Sequence, residues 1–435
     1  MKTLDNRRLA LVPSRIWDGT ADEALDGRAV LVKGNRIEAV ASIQDIPDGM
    51  RRIDLSGCTL LPGLIDSHAH YAKSFAPAFL SAGVTTVRDV ANNSEWILSQ
   101  RQSNLNDMAH GPRILCCGWA LDGMEGIWKY IAKRHSDEES LRASIRENIT
   151  QGVDAIKLYA GLSEPMLRAG VEEAHSHGRF VLAHLNNTSA TEAAAAGLNE
   201  IEHFSRCDVA WRPASVAEDD ALIDLFLAKG TIMNPTLNVW DRLGRALEHV
   251  FLHDIRRKWV HPTLLDIWDR IPYRRCEASK RMRFQTLMPN LKRFLLRCHE
   301  RGVVIAAGTD SPFINLIPGF ALHDELAQYV DAGLRPVDAL RAATSTNARV
   351  LGLELRIGRI SPGMDADLVA VSGNPLARID DLANVKLVMR GGVELELKGL
   401  FAAAQQAFKA PMDDPIIRDL SDYVAGEMPT YSQKG

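Results

Sequence analysis

Between residues 64 and 310 the chain repeats one pattern, in which a short apolar segment precedes a longer segment rich in Ala, Leu, Glu and Arg. The apolar segments are LIDSHAH (64–70), VTTVRDV (84–90), RILCCG (113–118), AIKLYA (155–160), FVLAHL (180–185), EIEHF (200–204), TIMNPTL (231–237) and VVIAAGTD (303–310). Several follow a glycine that would close a helix, as Gly83, Gly152 and Gly230 do. Eight strands that alternate with helices predict an α/β fold, specifically a (β/α)8 barrel.

The two ends of the chain carry a different pattern. Residues 7–60 alternate short β-rich pieces with Gly/Asp turns, which indicates a small antiparallel sheet, and matching pieces recur at 366–373 and 386–397. Because so few strands bury little on their own, we expect the two ends to meet in one β-sandwich. The predicted division is a β-sandwich from residues 1–60 and 356–400, a barrel over residues 61–355 and a C-terminal helical tail over residues 401–435.

The connection after the seventh apolar segment differs from the others. It runs from Asp241 to about Glu300, is much longer, and is rich in Arg, Trp and Leu. Extra length after a barrel strand often covers the active site. We therefore predict a helical wall or lid in this connection.

Composition excludes several classes of protein. The 46% hydrophobic and 24% charged content is ordinary for a globular enzyme, and a net charge of −4 gives no reason to expect nucleic acid or an anionic membrane as partner. The N-terminus lacks the apolar run of a signal peptide, and no uncharged apolar stretch is long enough for a membrane span. We expect a cytoplasmic protein with a small-molecule substrate, and we also expect a homo-oligomer.

Polar side chains stand late in five of the predicted strands, and the carboxyl ends of barrel strands are where such folds carry their chemistry. His68 and His70 are two residues apart in one strand, so they share a face, and neutral imidazole is a common zinc ligand. The same mouth would receive Lys157, His184, His203 and Asp310. Four imidazoles and one carboxylate could serve two metal ions if an anionic group bridged them.

Lys157 is the odd member of this set, because an ammonium group beside two cations would be repelled. Reaction with carbon dioxide would convert it into a carbamate, which is anionic and presents two oxygens. A lysine in an apolar strand is also costly to bury in its charged form, which independently indicates modification or a partner. A metal pair at this mouth would supply the nucleophile for hydrolysis at neutral pH, because a bound divalent metal lowers the pKa of its water to near 7.

The motifs LPGLIDSHAH, SAGVTTVRD, DAIKLYA, VLAHLNN, IEHF and GTDSP are highly specific in combination. A further stretch, DAGLRPVDALRAATSTNARVLGLELRIGRISPGMDADLVAV, is typical of a passage from a barrel back to a sandwich. On these motifs the chain resembles the amidohydrolase superfamily over roughly residues 8–397. The resemblance is to binuclear hydrolases similar to metal-dependent prolidases and imidazolonepropionase-like enzymes.

The resemblance implies two divalent metal ions, with zinc as the default. It assigns His68, His70 and Asp310 to one metal, His184 and His203 to the second, and carboxylated Lys157, an N6-carboxylysine, to both. A hydroxide that bridges the metals would attack the substrate, and Asp310 would pass its proton to the leaving amine. The implied activity is hydrolysis of an amide C–N bond in an N-acyl amino acid or a dipeptide-like substrate.

The residues that would contact the substrate are less well defined. Tyr159 should face away from the metals if its strand is regular, and Arg88 could clamp a carboxylate or instead pair with Asp89. Many relatives carry a second histidine at the position of Asn186, so the substrate stays open. The candidate substrate contacts are Tyr159, Arg88, Arg206, Asn238 and Trp240.

Three alternative functions remain. The same binuclear site could cleave a carbamate, urea, lactone or phosphoester, since an activated hydroxide attacks any of these. A mononuclear deaminase or cyclic-amide hydrolase would keep Lys157 as an ordinary lysine. A metal-free scaffold is the third alternative, although such relatives lose ligands and this chain keeps a full set.

Overall fold

The computed structural model describes residues 8–275, 278–410 and 414–426. The strands in chain order are β1 (Arg8–Ile16), β2 (Leu25–Asp26), β3 (Arg28–Lys33), β4 (Arg36–Ser42), β5 (Arg51–Pro62), β6 (Leu64–Ala69), β7 (Val84–Asp89), β8 (Arg113–Cys116), β9 (Ala120–Gly123), β10 (Ala132–His135), β11 (Ala155–Leu158), β12 (Phe180–Ala183), β13 (Glu200–Glu202), β14 (Ile232–Asn234), β15 (Leu368–Ser372), β16 (Val385–Arg390) and β17 (Val393–Leu395).

The α-helices lie between these strands and at the C-terminal end of the described chain. They are α1 (Ala76–Ser81), α2 (Ser94–Asn106), α3 (Glu138–Gln151), α4 (Glu164–Ser176), α5 (Ala190–Ala195), α6 (Val216–Lys229), α7 (Leu237–Arg245), α8 (His249–Leu252), α9 (Pro262–Arg275), α10 (Ala278–Arg301), α11 (Phe320–Asp331), α12 (Pro336–Arg341), α13 (Asn347–Val350), α14 (Leu397–Ala407) and α15 (Pro415–Ala425). None of the helices in the part of the chain that the structure describes is long and apolar enough to span a bilayer.

Strands from both ends of the chain join in one sheet. Its order is β17-β16-β15-β5-β1-β3-β4, and β2 pairs with β1. β15 joins β5 in antiparallel register, with Val369 opposite Leu61, so the two ends meet as predicted. The prediction of a purely antiparallel sheet is wrong for one pair, because β1 and β5 run parallel with an irregularity between Pro13 and Arg15. The closure of this sheet into a sandwich stays a prediction.

The middle of the chain is a mixed α/β unit built on parallel sheets, consistent with a (β/α)8 barrel. One sheet has the order β10-β9-β11-β12-β13-β14 and the other the order β6-β7-β8. The predicted eighth strand forms only isolated bridges, at Ile305 with Met233 and at Ser311 with Ala69. Its backbone nevertheless lies between the two sheets. The Met233 amide donates to the Val304 carbonyl (3.0 Å), and the Asp310 amide donates to the His68 carbonyl (2.8 Å).

Glycine residues end helices of this unit, as the sequence indicates, and a serine caps the start of one helix. Gly152 ends α3 at φ 95° and Gly230 ends α6 at φ 68°, a left-handed conformation in which a side chain would clash with its own backbone. α6 begins at Ser215, whose side chain and that of Glu218 cap each other's backbone amides. Each following strand therefore starts at a defined point, and this fixes which residue reaches the carboxyl end of that strand.

The long connection after β14 is helical, as predicted, and consists of α7 to α10. Charged side chains anchor its first half to α11. Arg242 donates to Asp324 (2.9 Å), and Arg256 donates to both oxygens of the same carboxylate (2.8 and 3.0 Å). One carboxylate thus fixes two separate points of the connection against α11.

The helix α11 also carries a fully buried carboxyl group, Glu325. Its oxygens accept hydrogen bonds from the backbone amides of Leu237 (2.6 Å) and Asn238 (2.8 Å), which open α7. Burial raises the pKa of this carboxyl from 4.5 to about 8. A group whose folded-state pKa is raised stabilises the fold fully below its unfolded pKa, and that contribution is lost as the pH rises through the folded value.

We therefore expect the free energy of unfolding to fall between pH 4.5 and pH 8, by on the order of a few kcal/mol from this group. The variant Glu325→Gln carries a neutral side chain of the same shape, so it should lose this component. Urea unfolding of both proteins at pH 5 and pH 8 measures the difference. A stability gap between them that is the same at both pH values would contradict the assignment.

The C-terminal tail packs on the rest of the protein. α14 runs from Leu397 to Ala407, and α15 follows after residues 411–413, which lie outside the described chain as do residues 427–435. Trp259 of the long connection contacts Phe401 of α14, with ring centroids 4.9 Å apart. The described residues of 401–435 contain most of α14 and all of α15, and the sequence did not indicate the second of these helices. The tail as a separate unit stays a prediction.

Candidate metal centre

Three polar side chains meet at the carboxyl end of β6. The Nε2 atoms of His68 and His70 each lie 3.1 Å from Oδ1 of Asp310. The register of β6 turns both rings to one side, and the backbone bond from Asp310 to the His68 carbonyl brings the carboxylate between them. His68 is buried and Asp310 is 17% exposed, so this corner of the site is closed on the β6 side and open above the carboxylate.

Two further imidazoles complete the cluster. The His203 ring lies 4.6 Å from the His68 ring and 4.8 Å from the His184 ring, between centroids. One ligand atom each of His68, His203 and Asp310 lies within 4.8 Å of the others, close enough for this group to hold a metal ion. His203 and Asp310 adopt left-handed backbone conformations (φ 63° and 59°), which non-glycine residues rarely do and which recur at functional sites.

Three of the histidines share one orientation. Nδ1 of His68 lies 2.7 Å from Oε2 of Glu202, Nδ1 of His203 lies 2.6 Å from Oγ1 of Thr236, and Nδ1 of His70 lies 3.4 Å from the Ala91 carbonyl. A histidine that ligates a metal commonly donates its other ring N–H to such a partner, which fixes the tautomer. The Nε2 atoms are therefore left to face the centre, as a metal site requires.

Lys157 lies under these rings, at 1% exposure, with Nζ 3.8 Å from Oε1 of Glu202. Glu202 is fully buried and lies close to both His68 and Lys157. Burial lowers the pKa of Lys157 below its ordinary value against the attraction of Glu202. Burial raises the pKa of Glu202 in turn, but His68 and Lys157 outweigh it, so that this carboxyl titrates below its usual range.

The charge states suit metal ligands. Burial, followed by the charge of Lys157, lowers the pKa of His184 to about 3, and burial holds the pKa of His203 well below its ordinary value, so both rings are neutral at pH 7. Burial also opposes protonation of His68, but Glu202 outweighs it and raises the pKa of that ring. Neutral imidazole nitrogens next to a carboxylate are the donor set that zinc and similar divalent ions prefer.

Arg88 is not available to a substrate, and the proposed clamp is wrong. Its guanidinium is 1% exposed and donates to both oxygens of Glu200 (3.1 and 2.5 Å), while Nε donates to the Ser67 carbonyl (2.6 Å). The alternative of a structural ion pair holds, but with Glu200 in place of Asp89. The reason is the two-residue period of β7, which turns Arg88 into the parallel-stranded core, whereas Asp89 accepts from the amide of Tyr71 (2.7 Å).

The other candidate substrate contacts divide into two groups. Asn238 is fully buried and donates to the Ala321 carbonyl (3.1 Å), so it holds α11 and does not face the site. Trp240 donates to the carbonyl of His203 (3.1 Å), and Arg206 donates to the carbonyl of Asn186 (2.5 Å), so both stay at the rim. Their roles toward a substrate stay predictions.

Tyr159 departs from the regular-strand expectation. β11 ends at Leu158, and the Tyr159 ring then turns to the side of the site, with its centroid 5.0 Å from the His184 ring and 6.0 Å from Nζ of Lys157. Its hydroxyl oxygen accepts a hydrogen bond from Nε1 of Trp128 (3.1 Å). The expectation that it faces away is wrong because the pleat stops one residue earlier.

Sequence reasoning missed Glu202 and Thr236, which anchor His68 and His203. A signal for the first was present. Glu200 and Glu202 alternate with Ile201 in a predicted core strand, and buried carboxylates require partners. Asp66 was missed as well, although it accepts a hydrogen bond from Thr309 Oγ1 (2.7 Å) and joins β6 to the segment that carries Asp310.

The contact between Glu202 and His68 predicts a measurable effect on metal binding. Replacing Glu202 with glutamine removes the charge that fixes the His68 tautomer, so we expect divalent metal affinity to fall about 10- to 100-fold. Calorimetric titration of the metal-stripped protein measures this. Glu325→Gln is the matched control, since that carboxyl is equally buried but contacts the backbone of α7. Equal affinities in the two variants would contradict the role of Glu202.

Two protein-family models match this chain. A family model described as the amidohydrolase family matches residues 59–395, and one described as the NagA composite domain matches residues 9–60. No curated protein sequence matches the chain at a significant level. The first match covers the whole parallel-stranded unit and the strands that return to the terminal sheet.

Solved structures share the fold. A putative prolidase from Bifidobacterium longum is 26% identical, with 92% of this chain and 99% of that chain covered and a TM-score of 0.72. A Xaa-Pro dipeptidase with methionine bound in its active site is 22% identical over 89% of this chain and 100% of that one, with a TM-score of 0.70.

A bottromycin amidohydrolase has a TM-score of 0.74 at 23% identity, with 94% of this chain and 92% of that chain covered. These structural matches agree with the family model, which alone spans more than half of the sequence. The chain belongs to the amidohydrolase family, and this membership together with the prolidase-like structures supports a hydrolase that acts on carbon–nitrogen bonds.

Proposed function

We propose that this protein is a binuclear metal-dependent hydrolase that cleaves the amide C–N bond of an N-acyl amino acid or dipeptide-like substrate. The observation that carries the proposal is the convergence of His68, His203 and Asp310, with His70, His184 and buried Lys157 around them. A prolidase from Bifidobacterium longum, named as putative, and an amidohydrolase share the fold, which supports an amide as the substrate.

The residues fit a metal pair. His68, His70 and Asp310 would hold one ion, His184 and His203 the other, and Lys157 would bridge them once carboxylated. Bound divalent ions supply a water of pKa near 7 and polarise a carbonyl oxygen. Zinc is the default because imidazole and carboxylate ligands suit it. The formation of the carbamate is balanced: the neutral amine of Lys157 adds to carbon dioxide and releases one proton.

The chain's own groups would then orient the substrate and move the proton. Asp310 lies between two imidazoles with one side toward solvent, so its carboxylate can accept a proton from water and give it to the leaving nitrogen. Glu202 and Thr236 hold two rings in the tautomers that this requires. Tyr159, Arg206 and Trp240 stand at the rim, where they would contact the substrate.

A second candidate is a mononuclear deaminase or cyclic-amide hydrolase. The 3.8 Å contact between Lys157 and Glu202 favours it, because an ordinary ammonium group would be paired there. Metal content per chain and the retention of activity in a Lys157 variant distinguish the two candidates.

The proposal extends to the architecture that holds the site. The parallel strands would close into a (β/α)8 barrel over about residues 61–355. The segment from Val304 to Ser311 would take the place of the eighth strand. Residues 1–60 and 356–400 would form the flanking β-sandwich and residues 401–435 the tail. The hydrogen bonds from that segment to β14 and β6 support the closure.

A substrate panel tests the bond type. Purified protein is stripped of metal, reloaded with zinc, manganese or cobalt, and offered N-acyl amino acids, dipeptides, a carbamate, a urea, a lactone and a phosphotriester. We expect turnover of amides to exceed that of the other classes by at least about tenfold in kcat/KM, which corresponds to about 1.4 kcal/mol. Turnover confined to lactones or phosphoesters would remove the amidase proposal and leave the metal site intact.

A further inference from the structure

The last described helix has one strongly buried face. In α15, the side chains of Ile416, Leu420, Tyr423 and Val424 are buried in the main hydrophobic core, whereas Arg418 on the opposite face is exposed. The helix therefore packs in the main hydrophobic core and makes specific contacts with the rest of the protein.

These contacts lie at the carboxyl ends of the parallel strands. Asp414, next to α15, accepts from the amide of Lys73, three residues beyond His70. Asp419 accepts from the amides of Lys129 (2.8 Å) and Tyr130 (2.9 Å), in the segment that follows β9. α15 also contacts α9, which follows β14. Lys73 follows the strand of His70, and Lys129 and Tyr130 follow β9, so α15 packs on loops at the end of the parallel strands that carries the metal-centre residues.

The clamped segment carries Trp128, which links the helix to the site. Its ring centroid lies 6.3 Å from that of Tyr423 in α15, and its Nε1 atom donates to the hydroxyl oxygen of Tyr159. The Tyr159 ring in turn lies against His184. A continuous path of packed rings and one hydrogen bond therefore runs from the C-terminal helix to the proposed second metal position.

We propose that α15 is a specificity element, which positions Tyr159 through Asp419 and Trp128 as one wall of the substrate pocket. The inference rests on the proposed function, because it gives Tyr159 a substrate to contact. The amide of Tyr159 donates to the Leu121 carbonyl (2.9 Å), one residue past the end of β11, and its ring contacts Trp128 and His184. Trp128 and Asp419 are thus positioning residues, since neither touches the reacting groups.

The hydrogen bond between Trp128 and Tyr159 has a definite direction. An indole N–H can only donate, so the Tyr159 oxygen is the acceptor and its own proton is directed away from Trp128. A ring held in this way gives the pocket a fixed wall against which a small acyl amino acid would pack. Loss of the Trp128 donor would let the Tyr159 ring rotate. Substrate binding would then weaken, whereas the chemical step would change little.

The test uses the full-length, metal-loaded protein, four single variants, and Tyr159→Phe alone and combined with Trp128→Phe. Trp128→Phe removes the donor and Asp419→Asn weakens the clamp. Trp119→Phe is the control for the first, since that ring also packs against the main hydrophobic core but contacts Lys133 instead. Asp422→Asn is the control for the second, because Asp422 is in the same helix but pairs with the Lys129 side chain.

Kinetics provide the first measurement. Trp128→Phe should raise KM for the best amide about five- to tenfold, as expected for one lost hydrogen bond, with kcat and metal content within about twofold of the parent. In the Tyr159→Phe background the same change should alter KM less than about twofold, because the two residues act as one unit. Effects of the two substitutions that simply multiply would overturn the proposal.

Hydrogen–deuterium exchange provides a measurement that does not depend on turnover. Asp419→Asn should speed amide exchange both in residues 124–131 and in residues 158–163, whereas Asp422→Asn should change neither segment. Faster exchange confined to 124–131 would show that the clamp is only structural and would overturn the inference. If no amide is turned over by the parent protein, the proposed function fails, and the exchange result alone decides whether α15 positions Tyr159.

Discussion

Replacing Lys157 with alanine is expected to lower kcat/KM by about a thousandfold or more and to leave less than two metal ions per chain. The physical reason is that Lys157 is buried, at 1% exposure, and is the only group in the proposed set that can supply both metals with an oxygen through its carbamate. Loss of the bridge removes several kcal/mol of charge stabilisation in the transition state, and each 1.4 kcal/mol is about tenfold in rate.

The loss should be partly reversed by a small carboxylate such as formate or propionate, which can enter the space left by the side chain and offer two oxygens. Lys133→Ala is the matched control, because Lys133 is a lysine in β10 of the same sheet that pairs with the partly exposed Glu147 (2.6 Å). Labelled carbon dioxide and carbon-13 NMR detect the carbamate directly in the parent protein. A Lys157 variant that keeps both metals and full activity would refute the bridge and favour the mononuclear candidate.

Asp310→Asn should lower kcat for amide substrates by about 10²- to 10⁴-fold, the usual contribution of a positioned acid–base group. Its carboxylate lies 3.1 Å from Nε2 of both His68 and His70. Burial raises the pKa of this partly buried carboxyl, but the interaction with His203 and the hydrogen bonds with His68 and His70 hold it well below its ordinary range. Asparagine keeps the shape but cannot carry a proton from water to the leaving nitrogen.

The choice of leaving group separates this role from a simple loss of metal. An activated aryl ester leaves without protonation, so it should lose much less rate than the amide in the Asp310 variant when both are measured at the same metal content. Asp331→Asn serves as the control, since Asp331 is exposed and pairs with Lys292. An equal loss for ester and amide would mean that Asp310 only holds the metal.

Much of the site could be located from local patterns in the chain. Strand periodicity placed His68 and His70 on one face, and strand ends preceded by glycine-terminated helices placed Lys157, His184, His203 and Asp310 at one mouth. Both ends of the chain also met in one sheet, because each end alone held too few strands to bury its apolar face. The structure brings all six side chains together, while their roles as ligands stay proposals.

The sequence was least informative about buried charged and titratable side chains, because the role of each depends on a partner that is distant in the chain. Arg88 pairs with Glu200, 112 residues away, and His68 is anchored by Glu202, 134 residues away, so neither pairing could be read from neighbours. Asn238 follows a strand end as the predicted contacts do, but it is turned to α11 by packing. A pattern that is local in the chain cannot rank distant partners that compete for the same group.

By itself, the sequence determined the alternation of strands and helices and the residues at the strand ends, because periodicity and glycine termination act within about a dozen residues. Only the tertiary structure decided where the C-terminal helix packs and which way Tyr159 turns. α15 is joined to the segment of Trp128 across nearly three hundred residues, from Lys129 to Asp419, by hydrogen bonds and apolar burial. Such contacts depend on the folded arrangement of distant segments and leave no local signal in the chain.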